Sequence, residues 1–150
     1  MPLPTRQRLA VLARLVWVLP CSLLGGVVGL VVLALGGSAK KVDHTVELAL
    51  THHQGAVPSW AAGFPFAGIT LGHVIVGQSH EGLAALRSHE RVHVRQYERL
   101  GVFFFVAYPA ASLIAWCQGK CPYSGNCFEQ EAFALTPNGR AADSKKIANK

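Results

Sequence analysis

Residues His89-Glu90-Arg91-Val92-His93 set two imidazoles four positions apart with a carboxylate directly after the first. On a helix that spacing places both rings on one face, about 6 Å apart, where both can reach a single Zn2+. Glu90 then stands beside the metal rather than on it. From there a carboxylate can take a proton from a zinc-bound water whose pKa the metal has lowered to about 7, leaving a hydroxide that attacks a carbonyl. The chemistry expected is metal-assisted hydrolysis, most often of a peptide bond. The same residues also make a hydrogen-bonded core pair that needs no metal.

The surrounding periodicity predicts a helix from Gly82 to Leu100. Leu86, His89, His93, Gln96, Tyr97 and Leu100 recur at helical spacing on one face, so both histidines point inward. Arg87, Arg91, Arg95 and Arg99 form a stripe on the opposite face. Its simplest reading is a solvated surface, with contact to lipid phosphates as the alternative.

A zinc site needs a third protein ligand, and a short helix expected from Phe128 to Leu135 carries two carboxylates, Glu129 and Glu131. The pairing of His-Glu-x-x-His with this later Glu-x-Glu-Ala resembles the gluzincin class of zinc metallopeptidases, in which a glutamate on a second helix completes the site. In membrane-associated members the later motif reads Glu-x-x-Ala-Asp. The resemblance implies Glu129 as ligand, with Glu131 as runner-up, Ala132 on the alanine and Phe133 where the pattern has its aspartate. The stretch from Phe64 to Leu135 also resembles a group of small bacterial membrane proteins with a zincin-like core. That likeness implies a short sheet whose edge receives an extended substrate by strand addition. The segment Ile69 to Val76, with Ile69, Leu71, His73 and Ile75, is the candidate for that edge, and an ordinary core strand is the competing reading.

The elements that must position these groups are unusually apolar. The chain is 51% hydrophobic and 15% charged, with a mean hydropathy of +0.30. Leu15 to Ala39 contains no charged residue, and it is flanked by Arg6, Arg8 and Arg14 on one side and Lys40 and Lys41 on the other. About 20 apolar residues suffice to span the hydrocarbon core, so residues 1–39 are expected to be an uncleaved single-pass anchor rather than a signal peptide. The basic flanks give a slim bias toward a cytoplasmic amino terminus and an extracytoplasmic zinc domain, and the resemblance to bacterial membrane proteins implies a bacterial inner membrane.

Gly101 to Cys117 is a second apolar run, interrupted by Pro109. Were it to cross the bilayer once, Glu129 would lie on the opposite side from His89 and His93. A membrane-dipping or core helix from Val102 to Trp116 is therefore expected. Cys117, Cys121 and Cys127 lack the paired spacing of a zinc ribbon, and on an oxidising face one pair could form a disulfide. Cys21 reads as a buried apolar residue, and His44, His52, His53, His73 and His80 as surface or hydrogen-bonded residues.

These expectations amount to an α+β protein with a minimal zincin-like domain over residues 40–136, an amino-terminal transmembrane helix and a second apolar helix. A strand from Val42 to Leu50, a loop from Gly55 to Pro65 and a disordered basic tail over residues 137–150 complete it. The partners expected are the lipid bilayer and a peptide or membrane-protein substrate. A net charge of +6 with no base-reading module argues against nucleic acid. The function expected is a membrane-anchored zinc metallopeptidase, and the competing reading is a non-catalytic membrane protein with a structural metal or none.

Overall fold

The computed structural model describes residues 5–51 and 67–136, with side chains from residue 11 onward. The expected loop from Gly55 to Pro65, His52 and His53, and the basic tail lie outside the described residues. The chain is α+β. Helix α1 (Thr5–Ala34) leads into strands β1 (Ser38–Val42), β2 (Thr45–Ala49), β3 (Gly68–Leu71) and β4 (Val74–Gly77). Helix α2 (His80–Leu100), a short 3-10 turn (Gly101–Phe103), α3 (Phe104–Cys117) and α4 (Cys127–Leu135) follow.

The four strands form one sheet in the order β1-β2-β4-β3. Antiparallel pairs β1/β2 and β3/β4 flank a central parallel pair, β2 and β4. The strand expected from Val42 to Leu50 is thus a hairpin that begins earlier. Asp43 turns it at φ 52, a conformation aspartate tolerates better than most side chains.

Because strand side chains alternate, the sheet has two faces of different character. Leu48, Leu50, Val74 and Val76 point to α1, where Val32 completes a core cluster. Ile75 points to α2 and packs with Leu83 and Val94. The layers are therefore helix, sheet, helix.

Within this arrangement the helix expected as the membrane anchor also packs against the sheet and α2. Val18, Cys21, Gly25, Gly29 and Val32 form one buried stripe along α1, spaced three to four residues apart. Cys21 and Val18 pack with Tyr97 and Phe104. Gly25 lies so close to Leu71 and Val74 that a Cβ would come within 2.7 Å of both. Glycine stops α1 as well: Gly36 takes φ 90, and the Gly37 and Gly36 amides donate to Val32 O at 2.9 Å and Leu33 O at 3.0 Å. From residue 11 onward most of the remaining α1 side chains are exposed and apolar, including Leu12, Val16, Leu23, Val27 and Leu30.

Two stretches are long and apolar enough to cross a membrane, Val11–Ala34 and His80–Cys117. The second takes in α2 as well as the apolar run from Gly101 to Cys117, of which α3 contributes 14 residues, about 21 Å against a hydrocarbon core of about 30 Å. α4 returns to pack on α2, so α3 does not separate the two motifs.

The arginine stripe is not uniformly solvated. Arg87 donates to the buried carboxylate of Glu47 at 2.7 and 3.0 Å, Arg91 pairs with Asp43, and Arg99 reaches Glu131 at 2.7 Å. Arg95 is exposed. Cys117, Cys121 and Cys127 are exposed free thiols and Cys21 a buried one, with no disulfide among them.

Candidate metal centre

Helix α2 is started by Ser79, whose hydroxyl accepts from the Gly82 amide at 3.1 Å. From that start the helical repeat brings His89 and His93 to the side facing α4, with Glu90 turned toward β3. The loop before α4 is pinned by Asn126, which no disulfide assists. Its amide donates to Tyr108 O at 3.1 Å and Ser112 Oγ at 2.8 Å, while its Oδ1 caps α4 by accepting from the Phe128 amide at 2.9 Å. Sequence reasoning gave Asn126 no role, although an asparagine just ahead of a helical segment is a capping signal.

These supports bring three side chains to one point. His89 Nε2 and His93 Nε2 lie 3.1 Å apart. Glu129 Oε2 is 3.1 Å from the first and its Oε1 3.2 Å from the second. Donors held about 2.0–2.2 Å from a tetrahedral zinc ion stand roughly 3.3–3.5 Å from one another, so little adjustment separates this triangle from a metal-binding one. His89, His93 and Glu129 are 4%, 7% and 2% exposed, which leaves water little access to screen them. They form a buried group that could hold a metal ion.

Hydrogen bonding shows why positive charge belongs there. The amide nitrogen of Gln96 donates to Phe128 O at 3.0 Å and Glu131 Oε2 at 2.9 Å, and both of those atoms can only accept. Gln96 Oε1 must therefore face His93 Nδ1, 2.8 Å away, and that nitrogen must carry the hydrogen. In neutral His93 the lone pair is then on Nε2, aimed at the Glu129 carboxylate. Two lone pairs 3.2 Å apart repel unless a cation or a proton lies between them.

Tyr108 donates to Glu129 Oε1 at 2.6 Å, whereas Glu129 Oε2 and His89 Nδ1 are buried without a hydrogen bond. An orphan acceptor aimed into a histidine pair suits a metal ion. Burial alone would raise the Glu129 pKa. The adjoining imidazoles of His89 and His93 and the Tyr108 hydroxyl outweigh it and hold the carboxyl well below the usual range, so Glu129 is ionised at neutral pH.

Glu90 is outside this ligand triangle. Its Oε2 accepts from the Thr70 hydroxyl at 2.7 Å, and Gly68 lies so near that a Cβ there would come within 2.7 Å of Oε1. Glu131, the runner-up ligand, is also excluded, because Gln96 and Arg99 hold its carboxylate. The candidate substrate edge is reduced in turn. Ile69 and Leu71 lie on β3, which pairs only with β4 among the described residues. Ile75 is on the interior strand and 1% exposed. His73 lies at the turn, where its Nδ1 meets Ser22 Oγ at 3.2 Å and its Nε2 meets Glu98 at 3.4 Å.

Phe133 occupies the place of the expected aspartate, and its ring packs on His89 with centroids 5.1 Å apart. It offers that imidazole an apolar wall in place of an acceptor. Tyr108, Thr70 and Asn126 are site residues that the sequence motifs did not reveal. No family model, no curated protein and no solved structure matches this chain.

Proposed function

We propose that the protein is a membrane-associated zinc metallopeptidase of gluzincin type, with a minimal zincin-like core, acting on peptide or membrane-protein substrates. The observation that carries the reading is the convergence of His89, His93 and Glu129 from two helices, with Glu90 held outside the ligand set. The donor set is the one zinc prefers, two imidazoles and one carboxylate, with a further position for water or substrate. When bound, Zn2+ supplies Lewis acidity to a carbonyl and lowers the pKa of a water. The chain's own part is to move the protons. Glu90 accepts one at its carboxylate and returns it to the departing amine, while the Thr70 hydroxyl orients the carboxylate and the absence of a Cβ at Gly68 gives it room. The edge of β3 that is unpaired among the described residues, with Ile69 exposed, is the surface offered to an extended chain. Lipid contact falls to the exposed faces of α1 and α3, with the catalytic domain on the extracytoplasmic side of a bacterial inner membrane.

A second reading is favoured by the burial of all three ligands: a structural metal in a non-catalytic membrane protein. The variant Glu90→Gln separates the two. Metal analysis of purified protein should show zinc retained in Glu90→Gln and lost in His93→Ala, with hydrolysis of a peptide library abolished in both. Cleavage by Glu90→Gln at the wild-type rate would overturn the mechanism. Zinc bound in the wild type and in Glu90→Gln, with no cleavage by either, would establish the structural reading.

A further inference from the structure

Gln96 is 0% exposed and uses its whole amide on the metal-centre side of the molecule. Its oxygen takes the hydrogen of His93 Nδ1, and its nitrogen holds α4 at both the Phe128 carbonyl and Glu131. Glu131 is held in turn by Arg99 from the helix turn below. The chain of contacts therefore runs from the surface through Gln96 to one ligand, and clamps the helix that carries another. We propose that Gln96 is a positioning residue of the metal centre, setting the His93 tautomer so that Nε2 presents its lone pair while fixing α4 and with it Glu129. The inference rests on the reading of this cluster as a metal site.

The logic is one of obligate acceptors. A glutamine amide that flipped would face its oxygen toward a carbonyl and a carboxylate and its nitrogen toward His93, losing two hydrogen bonds at once. Because Phe128 O and Glu131 forbid that flip, the imidazole hydrogen is forced onto Nδ1 from α4, the helix that supplies Glu129. Supporting hydrogen bonds of this kind typically contribute about 10–100-fold to metal affinity. His89 has no equivalent support, since its Nδ1 is buried without a partner. Gln96 thus gives His93 a hydrogen-bonded orientation at Nδ1 that His89 lacks.

The experiment uses the full chain in detergent micelles. Zn2+ affinity is measured by competition with a chromophoric chelator, the Co2+-substituted protein gives an absorption spectrum, and 15N-histidine NMR reports the His93 tautomer. Gln96→Met removes acceptor and donors at similar volume. It should weaken Zn2+ binding by about 10–100-fold, shift the Co2+ bands and abolish the preference for hydrogen on Nδ1. Should Gln96→Met fail to fold, the metal-free wild type decides alone, read at a pH where His93 is neutral: hydrogen on Nδ1 supports the proposal, and hydrogen on Nε2 overturns it. Folded Gln96→Met with unchanged affinity, spectrum and tautomer overturns it as well. Absence of Zn2+ binding by the wild type would sink the metal reading instead, while the NMR comparison would still show whether Gln96 sets the tautomer.

Discussion

The two faces of the sheet solve different problems with the same strands. Toward α1 the contacts are aliphatic and close, made by Leu48 and Val74 against Val32 and by glycines that let the helix backbone approach. Toward α2 the face carries Glu47 and Thr70, each tied to a charged residue of the helix, Arg87 and Glu90. One face is specified by shape and the other by hydrogen bonding. The difference shows where chemistry can reside: a face without polar groups tolerates lipid on its outer side, while the face that orients a carboxylate must satisfy every buried polar atom.

Breaking the polar face should have the largest effect. Arg87→Ala leaves the Glu47 carboxylate buried without its partner, and a loss of about 3 kcal/mol is expected in thermal unfolding followed by circular dichroism in micelles. Replacing both members, Glu47→Leu with Arg87→Met, should recover much of it. A single variant as stable as wild type would mean that the ion pair does not organise this face.

The shape-specified face is probed by Gly25→Leu. A Cβ at this position meets the Leu71 carbonyl, which cannot rotate away, so a loss of about 2 kcal/mol is expected. Zn2+ affinity measured on the same sample should change little, because none of the metal ligands touches this face. A large fall in affinity would show that α1 and the metal centre are coupled, and would erase the distinction between the faces.

The smallest effect belongs to the exposed end of the arginine stripe. Arg99→Gln removes an ion pair to Glu131 in which both partners are open to solvent, and about 0.5 kcal/mol should be lost, less at high salt. A loss as large as that of Arg87→Ala would show that the stripe acts as one network rather than as separate pairs.

Much of the site was legible in the residues. The spacing of His89 and His93 placed them on one helix face, and Glu129 falls where the second motif suggested. The helix boundaries were also readable, because Gly101 takes φ 56 beside the Trp17 ring and so ends α2 where the periodicity fades. The strands were less so. Lys40 and Lys41 looked like the polar flank of an anchor, yet they belong to β1, whose pairing with β2 is a contact across a turn and leaves little trace in a short polar run. The edge assignment falls on Ile69 and Leu71 but not on Ile75 for a related reason. Ile69 to Val76 is a hairpin turned at Gly72, and which of its strands lies inside the sheet depends on β2, more than twenty residues earlier.

Sequence alone determined the histidine-bearing helix face, the apolar reach of α1 and the motif order, because each is a local property of spacing and composition. Tertiary structure decided the rest. That α1 is a layer of the fold as well as an apolar helix follows from the fit of Gly25 and Gly29 against the sheet, a matter of complementarity between distant segments. That Glu129 rather than Glu131 faces the histidines follows from Gln96 and Arg99, which hold the second carboxylate away. Periodicity can say which way a side chain points from its own helix, but only the packing of one helix on another determines which partner it meets.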